Sequence, residues 1–179
     1  MTRQVAFMRG INVGGKNKIS MPGLRAMAEG LGYSDVATYI NSGNLLFTSA
    51  KRASTLATEI SSSIEREFGF SIDVTVRSQA QLNTILAENP YPDGDPSQVT
   101  VAFLTKAPPA VAEEKVAALA SEHEPFTFAG NEVYVNYTQG LGNSALAQQF
   151  SKAVGVSATV RNIRTVSKIA DMLAENPKK

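Results

Sequence analysis

An internal repeat runs through this chain of 179 residues and limits the architectures open to it. Three short segments of the first half recur in the second half in the same order, two of them 87 positions later and one 84 positions later. A length difference of three residues between the halves accounts for the smaller offset. Repetition at one period indicates similar structural units in series, so we predict an internal duplication. The matching pairs are 42–47 with 129–134, 87–90 with 174–177, and 75–77 with 159–161.

Hydrophobic spacing predicts the same order of elements in each half, β-α-β-β-α-β and then one more helix. Leu24 and Ala28 have helical spacing after Ser20, a favoured N-cap residue. Ser78 and Gln81 have capping-box spacing ahead of a later helix. This order is that of the ferredoxin-like fold, with helices on one face of an antiparallel sheet, and predicts an α+β protein of two ferredoxin-like subdomains. The predicted strands are 5–9, 36–40, 45–48, 72–76, 99–104, 126–128, 133–137 and 156–161.

A proline-rich segment, PYPDGDP at 90–96, separates the two halves. It cannot continue a helix or a central strand, because proline lacks the backbone N–H donor. We predict a first subdomain at 1–90, a linker at 91–97 and a second subdomain at 98–179.

Composition removes several classes of function. The chain has no cysteine, which excludes disulfides and thiolate metal sites, and a single histidine, which excludes a multi-histidine metal centre. Seventeen Lys and Arg residues against 16 Asp and Glu leave a net charge of +1, too small for generic attraction to nucleic acid. No run of about 18 apolar residues is present that would span a membrane. We expect a cytoplasmic protein without metal or cofactor, and the residues leave its oligomeric state open.

The segment RGINVGGKNK at 9–18 carries three glycines and three cations directly after the first predicted strand. Gly10, Gly15 and Lys16 have the spacing of a phosphate-binding P-loop. Asn17 stands where that motif needs a hydroxyl, and the helix is predicted to begin several residues later, which argues against nucleotide hydrolysis. Two interpretations stay open: glycine amides and lysines bind an anion, or the glycines permit a tight turn and the lysines face water.

Two further strand-to-helix junctions lie in the second half. The loop TQGLGNS at 138–144 precedes a predicted helix, so its amides are either capped by Asn143 or Ser144 or free to bind an anion. Arg161 and Arg164 lie at the last junction. They either grip a phosphate or carboxylate or pair with surface carboxylates of the chain itself.

Ordinary catalytic machinery is missing from the sequence. His123 lies between two glutamates at a predicted helix end, where a solvated side chain is expected, and no Gly-x-Ser-x-Gly elbow accompanies it. The β-α-β-β-α-β order also occurs in RNA-recognition modules, which stack bases on sheet aromatics within a basic-glycine-aromatic signature. The predicted strands that contain Phe47 and Tyr134 do not carry this signature. Whether the chain is an enzyme stays open.

The motifs together resemble a known bacterial family. FMRGINVGGKNK at 7–18 and TYINSGN at 38–44 look like the domain-of-unknown-function family 1697, and the likeness continues through the second half. Ile163, Arg164 and Asn143 depart from the residues usual in that family, which are Trp, Asn and Lys. The resemblance implies two α/β subdomains and no established biochemical activity.

The family motifs fall in connecting loops rather than on core stripes. In a duplicated fold the inner strand-to-helix junctions can converge across the subdomain interface, where ligand pockets are common. The leading hypothesis is a polar site for a small anionic or nucleotide-like ligand. The competing hypothesis is a protein-interaction or assembly module in which the same loops shape an interface. The predicted ligand-binding residues are Arg9, Asn12, Gly14, Gly15, Lys16, Asn41, Ser42, Asn44, Arg161 and Asn162.

Overall fold

The computed structural model describes residues 1–175 of the chain. They form two four-stranded antiparallel sheets, with helices between the strands in the same order in each half. This confirms the predicted α+β class with two similar halves. Residues 176–179 lie outside the described residues. They include part of the repeated segment 174–177 and the end of the predicted second subdomain, 98–179.

Each half contains four strands and three helices in the order β-α-β-β-α-β-α. The first half consists of β1 Thr2–Met8, α1 Met21–Gly30, β2 Ser34–Thr38, β3 Asn44–Ser49, α2 Ala53–Phe68, β4 Val74–Ser78 and α3 Gln79–Ala87. The second half consists of β5 Val99–Leu104, α4 Ala112–Leu119, β6 Phe126–Ala129, β7 Glu132–Asn136, α5 Ala145–Val154, β8 Ala158–Asn162 and α6 Ile163–Ala174. The strands pair in the orders β2-β3-β1-β4 and β6-β7-β5-β8.

Packing divides the chain into two compact units. Unit 1 is Met1–Thr84 together with the chain from Lys168 on, and unit 2 is Ile85–Ser167. The first part of α6 therefore belongs to unit 2 and its second part to unit 1. The predicted subdomain limits come from proline content rather than from packing, and they stay predictions. These limits are 1–90, 91–97 and 98–179.

In unit 1, α1 and α2 pack on one face of the sheet. Alternate residues of β1, Ala6 and Met8, are fully buried against the α2 stripe that includes Ile60 and Ile64. Complete burial of one such side chain contributes about 2 kcal/mol. As predicted, Ser20 caps α1, because its Oγ accepts a hydrogen bond of 3.1 Å from the Gly23 amide.

The core of unit 2 repeats this arrangement. Leu146, Phe150 and Val154 form the buried stripe of α5, and Val116 of α4 packs in the same cluster. Ser144 caps α5, because its Oγ accepts a hydrogen bond of 2.9 Å from the Ala147 amide. The cap interpretation of the loop 138–144 is thus supported.

The strand register shows the duplication and corrects the sequence alignment by one position. Phe7 pairs with Asn44 between β1 and β3, and Phe103 pairs with Glu132 between β5 and β7. Asn44 and Glu132 are therefore equivalent and lie 88 positions apart, whereas the sequence match joined residues 87 apart. The shift arises because Asn44 already belongs to β3, while Asn131 lies in the two-residue turn between β6 and β7.

The repeated segment 75–77 and its match 159–161 are structurally equivalent at the predicted offset of 84 positions. Thr75 and Thr159 pair with the corresponding phenylalanines of β1 and β5, and both hydroxyls are buried without a hydrogen-bond partner among the described residues. Arg77 and Arg161 each donate from Nη1 to the carbonyl of the residue before them, at 3.0 and 2.9 Å. The two last strands therefore repeat side-chain detail as well as backbone order.

Candidate functional site

Eight of the ten predicted ligand residues lie in two adjacent loops of unit 1, 9–19 and 39–43, or at the first residue of β3. We call these two loops the loop face. Asn12 joins them directly, because its side-chain amide donates to the carbonyl of Asn41 at 3.0 Å. The other two predicted residues, Arg161 and Asn162, belong to unit 2.

A tight two-residue turn forms the tip of the loop face. Lys16 donates its amide to the carbonyl of Val13 at 3.0 Å, across Gly14 and Gly15. Both glycines have positive φ, 58° and 76°, as type I′ turns require at their two central positions. The glycine-turn interpretation is therefore correct as a description of the backbone, and both glycines are exposed.

The side chain of Asn12 is hydrogen-bonded within the loop face. Besides its bond to the Asn41 carbonyl, its Nδ2 donates to the Ile19 carbonyl at 3.0 Å and its Oδ1 accepts from the Ile19 amide at 2.9 Å. Its φ of 55° lies in the left-handed region, which asparagine tolerates better than most residues. Both hydrogen atoms of its side-chain amide are therefore engaged, one to the second loop and one within the first.

Asn44 and Ser42 are also engaged within the fold. Asn44 is fully buried, and its Nδ2 donates to the Tyr39 carbonyl at 2.9 Å and to the Ser42 hydroxyl at 3.2 Å. Between them, Gly43 has a φ of 84°, and an added Cβ would lie 2.9 Å from the Ile11 side chain. These residues set the path of the second loop and leave solvent contact to their neighbours.

The exposed polar groups of the loop face are cationic or amide in character. Lys16, Lys18 and Asn41 are exposed, and the two lysines form no ion pair among the described residues. Arg9 is partly exposed and lies 3.9 Å from the carboxylate of Asp73, with side-chain exposures of 45% and 54%. An exposed ion pair of this kind contributes about 1 kcal/mol or less to stability.

Two exposed apolar side chains on the loop face were not predicted from the sequence. Val13, beside the glycine turn, is 64% exposed, and Ile40 is 51% exposed. Ile40 has a φ of 50°, a left-handed conformation that costs a β-branched residue about 1–2 kcal/mol. The tyrosine-isoleucine pair before the asparagine reads as the end of a strand, so the sequence carries no signal that Ile40 turns outward.

In unit 2, the last strand-to-helix junction is engaged in capping and pairing. Asn162 accepts a hydrogen bond of 2.9 Å from the Thr165 amide at the start of α6. Arg161 is largely buried, which lowers the pKa of its guanidinium to about 10. Arg164 lies 3.9 Å from the carboxylate of Asp95, as the surface-pairing interpretation predicts.

The second glycine-rich loop, 138–144, lies against a carboxylate. Glu124 is buried, and its Oε2 accepts a hydrogen bond of 2.8 Å from the Ser121 amide. Burial raises the pKa of Glu124, but hydrogen bonds from Ser121 and Ser144 outweigh that effect and hold the pKa below its ordinary value. A carboxylate therefore already occupies the surroundings of the α5 N-terminus, which argues against an anion site in this loop.

His123 has the exposed setting that its sequence neighbours predict. Its Nε2 lies 3.5 Å from a carboxylate oxygen of Glu122, and its side chain is 47% exposed. Among residues 1–175, no group of three or more histidine, aspartate or glutamate side chains is arranged to hold a metal ion. Within the same range, none of the helices combines the length and apolar character needed to cross a bilayer.

A solved bacterial protein has a fold similar to that of this chain. The solved structure of the conserved bacterial protein SP0830 from Streptococcus pneumoniae is similar, with a TM-score of 0.73 and 27% sequence identity over 96% of this chain and 98% of that one. None of the curated proteins searched matches the chain. Residues 1–134 match the model of the DUF1697 family, which is described as a protein of unknown function. They include the glycine turn, the two loops that Asn12 joins and the first of the two sheets. The chain belongs to the DUF1697 family.

Proposed function

We propose that this protein is a binding module that takes an anionic group on the loop face of unit 1. The observation that carries the proposal is the pair of glycine amides at the turn. Neither Gly14 nor Gly15 donates its amide to another described residue, and both are exposed beside Lys16. Successive backbone N–H groups next to a cation form a concave donor set for phosphate or carboxylate oxygens.

Charge on the loop face favours an anion over a neutral ligand. Lys16 and Lys18 flank one side of the turn, and Arg9 lies at the start of the same loop. Arg9 also lies 3.9 Å from a carboxylate oxygen of Asp73. With a net charge of only +1 on the whole chain, this attraction is local, so it suits a small ligand or a single anionic group on a larger partner.

The loop face is held in shape before any ligand arrives. Asn12 ties the first loop to the second through the Asn41 carbonyl and to its own return through Ile19. Gly43 lets the second loop approach Ile11 closely. A preorganised donor set loses little conformational entropy when it binds, which raises affinity without additional contacts.

A thermal-shift titration tests the proposal. Pyrophosphate and nucleotides are the probes, and Lys16→Ala and Lys18→Ala are the test variants, with Lys115→Ala, an exposed lysine on α4, as the matched control. A probe at about 100 times its dissociation constant raises Tm by several degrees. We expect the Lys16 and Lys18 variants to lose this shift and the Lys115 variant to keep it. Equal shifts in all three variants would refute the loop face as the anion site.

Arg161 and Asn162 stay predicted ligand residues of the anion site. Arg161→Ala tests them in the same titration. A full shift in that variant removes them from the site while leaving the unit 1 proposal intact.

The second candidate function is a protein-interaction or assembly module, and the exposure of Val13 and Ile40 favours it. Exposed apolar side chains near a rigid turn are common at protein interfaces, where they bury area with little ordering cost. Native mass measurement of the wild type and of Val13→Ser tests this candidate. It predicts an oligomer in the wild type that Val13→Ser weakens, while a wild type that is monomeric at all concentrations contradicts assembly through this face.

A further inference from the structure

A groove in unit 2, remote in sequence from the loop face, is formed by the segment predicted as a linker. Its volume is about 470 Å³, within the range of small-molecule sites. We call it the unit 2 groove. The residues that line it are Pro90, Tyr91, Pro92, Asp93, Gly94, Asp95, Gln98, Asn136 and Thr138.

Hydrogen bonds fix the walls of the groove to the rest of unit 2. Gly94 donates its amide to the Tyr91 carbonyl at 3.1 Å, which closes a turn with proline at its second position. The Tyr91 hydroxyl lies 2.9 Å from the Thr127 hydroxyl on β6. On the opposite wall, the Thr138 hydroxyl donates to the His123 carbonyl at 2.9 Å. The groove is therefore preformed and does not depend on a loose linker.

Gly94 is needed where the walls approach each other. An added Cβ would lie 2.6 Å from Cγ2 of Val99 and 3.1 Å from Nδ2 of Asn136. The segment thus passes close to β5 and β7 and brings its carbonyl and carboxylate groups beside the Asn136 side chain.

The lining offers mainly hydrogen-bond acceptors. Pro90 and Pro92 have no backbone N–H, and the amides of Tyr91 and Gly94 are already bonded to Asn89 and Tyr91 oxygens. Carbonyl oxygens and the carboxylate of Asp93 remain as acceptors, and this carboxylate makes no hydrogen bond or ion pair with a described residue. The backbone amides of Asp93 and Asp95 remain as donors. The side-chain amides of Gln98 and Asn136 are likewise unbonded among the described residues and can present their oxygens.

Charge and surface chemistry point in the same direction. Lysine and arginine are absent from the residues that line the groove, whereas Asp93 and Asp95 are both present. Arg164 lies 3.9 Å from Asp95 and offsets part of that charge, but it does not line the groove. Tyr91 and the two prolines add apolar surface against which an alkyl chain can pack, and an aromatic face also attracts cations.

We infer that the unit 2 groove binds an alkylammonium group, with Asp93 as its counter-ion and the amide oxygens of Gln98 and Asn136 as further acceptors. The ammonium group has three donors and no acceptor, which matches the acceptor-rich lining. A free aliphatic amine and a lysine side chain of a peptide share this chemistry. The site is separate from the proposed anion site in both residues and charge.

Calorimetric titration of the full chain tests the inference. The probes are putrescine as a free amine, Nα-acetyl-lysine amide as a peptide lysine, and 1,4-butanediol as a neutral mimic of putrescine. We expect one or both amines to bind and the diol to bind at least about tenfold more weakly, since loss of a charge-assisted hydrogen bond has that effect. The stronger amine identifies the source of the ligand.

Variants of exposed carboxylates make the test specific. Asp93→Asn should weaken amine binding about tenfold, while Glu113→Gln, an exposed carboxylate on α4, should leave it unchanged. Asp93 makes no bond within the described residues, so the substitution should preserve the fold, as an unchanged Tm would verify. Binding of the diol as strong as that of putrescine, equal loss in both variants, or no binding of either amine would overturn the inference.

Discussion

Asn12 connects the two loops of the loop face. Its side chain takes part in three hydrogen bonds, one to the Asn41 carbonyl 29 positions away and two to Ile19 within its own loop. Its positive φ also places it where few residue types are tolerated. The shape of the proposed anion site therefore depends on Asn12.

Substitution of Asn12 tests this role. We expect Asn12→Ala to lower the free energy of unfolding by about 2 kcal/mol, since it leaves a partly buried amide and two carbonyls without partners. Urea denaturation measures the change. Asn143→Ala, an exposed asparagine outside the caps, is the matched control and should stay within about 0.5 kcal/mol of the wild type. Equal stability of the two variants would contradict a structural role for Asn12.

A second residue-scale prediction concerns Glu59 in α2. Its carboxylate accepts hydrogen bonds of 2.6 Å from both the Tyr33 hydroxyl and the Lys51 ammonium. Partial burial raises the pKa of Glu59, but the bonds from Lys51 and Tyr33 prevail and hold the pKa below its ordinary value of 4.5. A carboxylate with a lowered folded-state pKa stabilises the fold above its unfolded-state pKa and loses that contribution as pH falls through the folded-state value.

The wild type should therefore lose more unfolding free energy than Glu59→Gln when pH falls from about 6 to about 3. Urea midpoints at the two pH values measure the loss. Glu113→Gln, which removes an exposed carboxylate without a hydrogen bond, should follow the wild type. If Glu59→Gln instead follows the wild type through the acid range, the Tyr33–Glu59–Lys51 contacts do not stabilise the folded state.

At the scale of elements, serine side chains cap the starts of α1, α3 and α5. The Ser78–Gln81 pair shows the reciprocal bonds of a capping box, with Ser78 Oγ accepting from the Gln81 amide at 3.2 Å and Gln81 Oε1 accepting from the Ser78 amide at 2.8 Å. Ser20 and Ser144 cap α1 and α5 with the hydroxyl bond alone, because Gly23 and Ala147 have no side-chain oxygen to return it. These bonds are local, so each was visible as residue spacing in the sequence.

Ser144→Ala should lower the unfolding free energy by about 1 kcal/mol, because it removes the N-cap of α5. It also removes one hydrogen bond to Glu124, so the pKa of that carboxyl should rise toward its ordinary value. Urea denaturation gives the first effect and carboxyl NMR titration the second. Ser144→Thr keeps the acceptor and should retain most of the stability, and equal losses in the two variants would show that the hydroxyl is not the source.

At the scale of the whole molecule, the end of α6 belongs to unit 1 although its first part belongs to unit 2. Arg3 of β1 donates to the carbonyls of Met172 and Glu175, at 3.2 and 3.0 Å. Ile169 and Leu173 of the same helix are buried. Unit 1 is therefore complete only with a segment from the far end of the chain.

A fragment containing residues 1–90, the predicted first subdomain, should be less stable than the full chain because it lacks this part of α6. Loss of two buried aliphatic side chains corresponds to several kcal/mol, about 2 kcal/mol for each. Thermal unfolding of the fragment, followed by circular dichroism, measures the difference. A fragment with the Tm of the full chain would show that the limits 1–90 suffice for folding.

The sequence by itself determined the features that depend on neighbouring residues. The order of strands and helices and the caps at Ser20 and Ser78 follow from spacing within a few residues, where backbone conformation and side-chain periodicity act directly. The duplication is visible as short matching segments in the two halves. The family assignment also followed from such local motifs.

Only the tertiary structure decided which polar residues are free to bind. The sequence predicts Asn12, Asn44 and Lys16 alike as ligand residues. In the structure Asn12 bonds to the Asn41 carbonyl 29 positions away, Asn44 is buried and Lys16 is exposed. The sequence likewise did not determine that Ile40 is exposed, that α6 is divided between the two units, or that the proline-rich segment forms a groove. Each depends on residues far apart in the chain, and the energy that settles them comes from packing and burial that no local pattern records.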